Sequence, residues 1–220
     1  MATQYAFGQI VTNGLVLALD AADRNSYVSG STTWNDLSGN GNSGTLVNGP
    51  TFSTQVGGAI IFDGTDDSTS FSYVQPQYTS TVNFTWNIWV YPTRNSNADV
   101  LMGNRFSATT QFVKLTTNNF EYYNASGTQL TIGGVTPVNT WMNISVVKDG
   151  SNFTYYRNSS VIATGTSNNT IPSQPFKVGG DSQQPEYSNS RISIVYVYNR
   201  ALSAAEVLQN YNATKTRFGL

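Results

Sequence analysis

NTWMNISVVKDGSNFTYYRNSSVIATG, residues 139–165, alternates apolar and polar side chains through Met142–Lys148, Phe153–Arg157 and Ser160–Ala163, with turn residues between the runs. A strand turns successive side chains to opposite faces, so runs of this kind form half-buried antiparallel strands. At the second turn, Arg157-Asn158-Ser159-Ser160 stands where Asn-Gly would be the stronger hairpin signal. Asn still tolerates the positive φ that a tight turn needs.

Working outward, similar runs occur at Leu15–Leu19, Ala59–Phe62, Ser70–Val74, Phe84–Tyr91, Val100–Gly103, Gln111–Leu115, Phe120–Tyr123, Gln129–Ile132, Phe176–Val178 and Arg191–Tyr198. Short strands with no helix between them predict an all-β, two-sheet antiparallel β-sandwich. A single short C-terminal α-helix is predicted over 203–213, where Ser203 caps the start and Glu206 completes a capping box. No composition break divides the chain. The expected organisation is an N-terminal arm (1–13), a sandwich with its helix (14–213) and a C-terminal tail (214–220).

Composition removes whole classes of chemistry. The chain has 220 residues with no His and no Cys, which excludes Ser-His-Asp triads, Cys-His pairs, disulfides and zinc sites of the usual ligands. Only 10% of residues are charged and the net charge is −1, against the basic patch that nucleic-acid binding needs. Asn, Ser and Thr supply the polar surface instead. No apolar run is long enough to span a membrane. The N-terminus lacks the basic start of a signal peptide, so synthesis in the cytoplasm is expected.

Several residues stand out as contact candidates. In FTWNIWVY, Phe84, Trp86, Ile88 and Val90 share one strand face and Thr85, Asn87, Trp89 and Tyr91 the other. Trp86, with the loop residues Tyr78, Phe106 and Tyr187, is a candidate for ligand or partner binding, because aromatic rings stack on sugar faces and loops carry binding. The two ends offer Tyr5, Phe7, Ile10, Arg217, Phe218 and Leu220 as docking elements for another chain, with an intramolecular edge strand as the alternative. In the segment around Asp36, Asn40 and Asn42, side-chain oxygens and glycines predict a capped turn rather than a metal loop, since the closing bidentate Glu is missing.

Read together, GLVLALDAAD (14–23), TWNDLSGNGNSGTLVNGPTF (33–52), AIIFDGTDDS (59–68), FTWNIWVYPT (84–93), residues 139–165, PFKVGGDS (175–182) and residues 191–220 resemble the laminin-G-like jelly rolls of the concanavalin A-like lectin/glucanase superfamily. In particular the chain resembles the stand-alone versions in tailed-bacteriophage virion proteins. The resemblance implies a jelly roll with Trp89 as its core tryptophan. It also implies Ca2+ at a rim loop as an alternative to a simple hairpin corner, with Asp63, Asp66, Asp67 and Asp181 as ligands. No other cofactor is implied. At the start of the last strand, Arg191-Ile192-Ser193-Ile194 replaces the family's Gly-x-Ile-Asp-Asp, so two acidic positions are absent.

Because the superfamily includes glucanases, catalysis needs a test. Glycoside hydrolysis uses two carboxylates about 5–10 Å apart, and the only glutamates, Glu121, Glu186 and Glu206, show no pair at the family's spacing. A non-catalytic protein is expected. What the resemblance implies is a virion surface component that decorates or cements a capsid, with capsid or other virion proteins as partners and many copies or a homo-oligomer per virion. The alternative is a carbohydrate- or receptor-binding lectin module of a tail fibre or baseplate, with cell-surface polysaccharide as its ligand. Neither reading involves nucleic acid or a membrane.

Overall fold

The computed structural model describes residues 8–107, 111–124 and 126–220, excepting the side chains of Phe106 and Ser107. Tyr5 and Phe7 of the arm lie outside the described residues, and so does the side chain of Phe106. The strands are β1 (Leu15–Asp20), β2 (Thr33–Trp34), β3 (Gly44–Val47), β4 (Thr51–Ser53), β5 (Ala59–Asp63), β6 (Ser68–Gln75), β7 (Phe84–Pro92) and β8 (Val100–Ser107). They continue as β9 (Gln111–Thr116), β10 (Phe120–Tyr123), β11 (Gln129–Ile132), β12 (Met142–Asp149), β13 (Asn152–Arg157), β14 (Ser160–Thr166), β15 (Gln174–Val178) and β16 (Asn189–Tyr198).

One sheet has the order β14-β13-β12-β7-β16-β5-β4, with β1 also on β16; the other has the order β11-β10-β9-β8-β15-β6-β3-β2. The short strands β2, β3 and β4 were not anticipated, because they lie in a stretch rich in Gly, Asn and Ser that reads as turns. The predicted hairpin between β13 and β14 forms with Asn158 at φ 50° and Ser159 at φ 64°. Two successive residues with positive φ match the right-handed twist of the flanking strands. The Asp36 turn also forms. Its carboxylate accepts from the backbone N–H groups of Ala18, Ser38 and Asn42, each at 2.9 Å, while Asn40 and Asn42 donate to carbonyls of β1.

Between the sheets, Phe84, Trp86, Ile88 and Val90 of β7 meet Phe120, Tyr122, Phe176 and Val178 from the facing sheet. This places Trp86 in the central core with no exposure, its ring edge-on to Phe120 at 5.9 Å and to Phe176 at 5.6 Å. Trp86 is therefore unable to contact a ligand. Trp89 is fully buried as expected, but in a second apolar cluster on the outer face of the first sheet rather than between the sheets. Tyr78 also turns inward, 1% exposed and packed on Phe84 at 4.6 Å. Its backbone bridges Ile171, which continues the ladder beyond β6 and β15 and draws the ring into the sandwich.

A second apolar layer covers the outer face of the first sheet. Helix α1 (Ala204–Thr214) starts with the predicted capping box, and a 3-10 turn, Lys215–Phe218, follows it. Phe218 stacks on Trp89 with centroids 3.9 Å apart and planes within 7°, and the Trp89 Nε1–H donates to Thr214 Oγ1 at 2.8 Å. Arg217 forms an ion pair with buried Asp20 at 2.8 Å. The arm is held too: the Val11 N–H donates to Asn210 Oδ1, the Tyr198 hydroxyl donates to the Val11 carbonyl, and Ile10 packs against the same layer. Ile10, Arg217 and Phe218 are thus corrected from docking elements to parts of the fold, because the sheet's apolar outer face is the nearest surface that can bury them. Leu220 stays exposed at the tip.

Among the polar groups buried between the sheets are Lys148 and a pair of glutamines. Lys148, on β12, donates from Nζ to the carbonyls of Thr79, Val82 and Gly150, which ties down the segment before β7; burial pushes its ammonium down to about 8. Gln75 and Gln174 are cross-strand partners that both point inward, and neither side-chain amide has a partner.

Candidate functional site

Cross-strand register assembles a polar site on the outer face of the second sheet. On β9, Val113 and Leu115 enter the core, so Phe112 and Lys114 must face out; on β10, Phe120 and Tyr122 enter it, so Glu121 and Tyr123 face out. One row across the strands is Tyr123–Phe112–Arg105. The next is Glu121–Lys114–Gly103–Lys177–Ser70.

The first row is a stack. The rings of Tyr123 and Phe112 lie parallel within 2° at 4.9 Å, and the Arg105 guanidinium carbon is 4.6 Å from the Phe112 centroid. In the second row Gly103 adds no side chain between the two lysines. Its φ of +102° favours glycine, and a Cβ there would lie 2.4 Å from the Val113 carbonyl oxygen.

The segment joining β15 to β16 folds over these rows. A backbone bridge between Gly180 and Tyr187 closes its base, and the Arg94 guanidinium holds the Tyr187 carbonyl at 3.1 Å and Asp99 at 2.7 Å. From this segment Asp181 reaches Arg105 Nε at 3.3 Å, and Glu186 meets Arg105 Nη2 at 3.0 Å through each carboxylate oxygen. Glu186 also takes a hydrogen bond from Lys114 Nζ, whose other acidic neighbour is Glu121 at 3.5 Å. Asn104 Oδ1 accepts from Ser182 N–H and Oγ–H, fixing the segment to β8. Burial lowers the pKa of Lys177, opposed by the Asp181 charge, and its Nζ donates to Ser70 Oγ at 3.2 Å.

The predicted residues are thus scattered. Tyr187 is half-buried at the rim of this site, its ring against Gly180, and Asp181 lies beneath Arg105. Trp86 and Tyr78 are in the core. Asp63, Asp66 and Asp67 do cluster, with one oxygen of each within 4.8 Å of the others, but Asp181 is committed to Arg105. Asp63 Oδ1 accepts from Thr65 N–H and Asp67 Oδ2 from Asp63 N–H, so the trio closes a hairpin corner. Burial, with the charges of Asp63 and Asp66, raises the pKa of Asp67 against the opposing Asp63 N–H bond. Ca2+ takes about six to eight oxygens, so these three carboxylates, two of whose oxygens also accept N–H bonds, supply only part of such a shell.

Arg105, Phe112, Lys114, Tyr123 and Glu186 were missed. Outward alternation of Phe112 with Lys114 and of Glu121 with Tyr123 was visible in QFVKLT and FEYY, yet Glu121 has no acid near it in sequence. The fold brings Glu186 to the same lysine.

A family model of laminin-G type, described as the concanavalin A-like lectin/glucanases superfamily, matches residues 63–208. No curated protein sequence matches. Among solved structures, domain 4 of AbnA, a GH43 extracellular arabinanase from Geobacillus stearothermophilus in complex with arabinotriose, is 15% identical with a TM-score of 0.71, covering 90% of this chain and 98% of that one. The binding domain of botulinum neurotoxin DC in complex with rat synaptotagmin II is 12% identical with a TM-score of 0.71, covering 93% of this chain and 52% of that one. Trypanosoma rangeli sialidase in complex with sialic acid is 13% identical with a TM-score of 0.64, covering 93% of this chain and 33% of that one. The chain spans about half of the toxin domain and a third of the sialidase. At such identities these likenesses speak to the fold, a two-sheet jelly roll, and the family match extends that to descent: the chain belongs to the concanavalin A-like lectin/glucanases superfamily.

Proposed function

We propose that the protein is a non-catalytic carbohydrate-binding module whose ligand lies on the outer face of the second sheet. The observation that carries this reading is the stack of Tyr123, Phe112 and Arg105 beside Lys114. Aromatic faces pack on the C–H faces of sugar rings; here the half-buried Tyr123 ring offers that face and Arg105, 12% exposed, the donors for sugar oxygens, while Phe112 and Lys114 are buried behind them and hold them in place. Two glutamates do meet here, which their sequence spacing concealed, but Lys114 spans Glu121 and Glu186 where a hydrolase needs an open cleft. Glu121 is only 4% exposed, leaving no access for a glycosidic oxygen.

The setting we assign is the surface of a tailed-phage virion, supported by the sequence resemblance and by the neutral, hydroxyl-rich composition. The module would there present its sheet face to a cell-surface polysaccharide. A glycan array with wild type and Tyr123→Ala tests the binding role. Retention of specific saccharides by wild type, with at least about tenfold loss in the variant, supports it. Equal retention by both proteins refutes this face as the site. Detection of the chain in purified virions by mass spectrometry tests the setting.

A further inference from the structure

Three carboxylates meet three cations at the site, and their exposures differ. The side chains of Asp181 and Glu121 are 0% and 5% exposed, while that of Glu186 is 23% exposed. Asp181 and Glu121 are therefore permanent partners, one under Arg105 and one beside Lys114. Glu186 is the shared and outermost one. It alone bridges both cations, presenting two oxygens to Arg105 Nη2 and one to Lys114. Charge-assisted bonds of guanidinium and ammonium groups to a carboxylate are the contacts that a free carboxylate would also make.

The backbone of Glu186 is fixed independently of its side chain. Its N–H donates to the Gln184 carbonyl at 2.7 Å, and its carbonyl accepts from Asp181 N–H at 3.2 Å. Rotation about the side-chain bonds is enough to withdraw the carboxylate without opening the segment. The face left behind would carry Arg105, Lys114 and Lys177 against Asp181 and Glu121, an excess of positive charge beside the Phe112–Tyr123 stack.

We propose that this face takes an acidic saccharide, whose sugar carboxylate replaces that of Glu186 on Arg105 and Lys114, and that Glu186 holds the place as an internal competitor. The inference rests on the carbohydrate-binding reading above. An acidic peptide would share the carboxylate but lacks the ring faces that match the aromatic stack.

The test is titration calorimetry of wild type and Glu186→Gln with uronate- and sialate-bearing oligosaccharides, each beside its carboxyl methyl ester. Thermal melts of both proteins check folding. Glutamine keeps the shape of the side chain and removes its charge, so affinity for the acids should rise about tenfold. The esters should bind at least about tenfold more weakly than the acids, and added salt should weaken only the acids. Equal binding of acids and esters, abolished by Tyr123→Ala, would overturn the inference and leave the binding role standing. Weaker binding of every sugar by folded Glu186→Gln would make Glu186 a ligand contact and overturn it likewise. No binding by either protein would remove both readings.

Discussion

Replacing Phe218 by Ala removes the ring that closes the outer apolar layer. Phe218 is 8% exposed and lies between Trp89, at 3.9 Å and 7°, and Trp141, at 5.0 Å. Truncating a buried Phe to Ala costs about 3–5 kcal/mol through lost transfer energy and the cavity left behind. The residual exposure places this case at the lower end, about 3 kcal/mol. For a chain of this length each kcal/mol moves the melting temperature by about 2–4 °C, so a drop of roughly 10 °C is expected. Urea denaturation followed by tryptophan fluorescence measures the free energy, and Phe218→Leu, which keeps apolar bulk without the stack, should recover most of it. A loss below about 1 kcal/mol would refute the docked tail. Unchanged stability together with lost self-association would restore the tail as an arm that binds another chain.

Two further outcomes follow from buried and paired polar groups. The Arg200 guanidinium, aided by the Ser203 N–H, holds the Glu206 carboxyl down at about 2. Its folded pKa lies below the unfolded value, so the contribution is complete above about pH 4.5 and is lost as pH falls toward 2. A pH series of melting temperatures should show this loss in wild type and a flatter profile in Glu206→Gln; identical profiles would remove the role assigned to the Arg200 pair. Gln75 and Gln174 bury two amides without partners, and replacing both removes their desolvation cost. Gln75→Leu/Gln174→Leu should therefore unfold at a urea concentration equal to or above that of wild type, and a marked decrease would show that the amides are satisfied in solution.

Local signals carried much of the fold. The hairpin at Asn158 and Ser159, the Asp36 turn and the Ser203–Glu206 cap each depend on residues within a few positions of one another, and all form as their side chains dictate. The site was far less legible. Arg105, Lys114, Glu121 and Glu186 come from three strands and a connecting segment, and only pairing across β8, β9 and β10 makes them neighbours. Likewise Asp181 is close to the Asp63 corner in type but was drawn instead to Arg105, a choice set by where the β15–β16 connection folds over the sheet.

A sandwich of short antiparallel strands ended by a capped helix was legible from the residue pattern alone. Period-two alternation and turn chemistry are local, so they can be read without knowing what packs on what. Which face of β7 is the centre depends on packing between distant segments. Alternation says that Trp86 and Trp89 point opposite ways but not which way is inward, and here both faces are buried. The second sheet covers Trp86, while the helix, the Lys215–Phe218 turn and the arm cover Trp89. The tail and arm were free to serve as docking elements only until that second layer was known, because burying Phe218, Ile10 and Val11 on the chain's own sheet removes the same apolar surface from water that a partner would have covered.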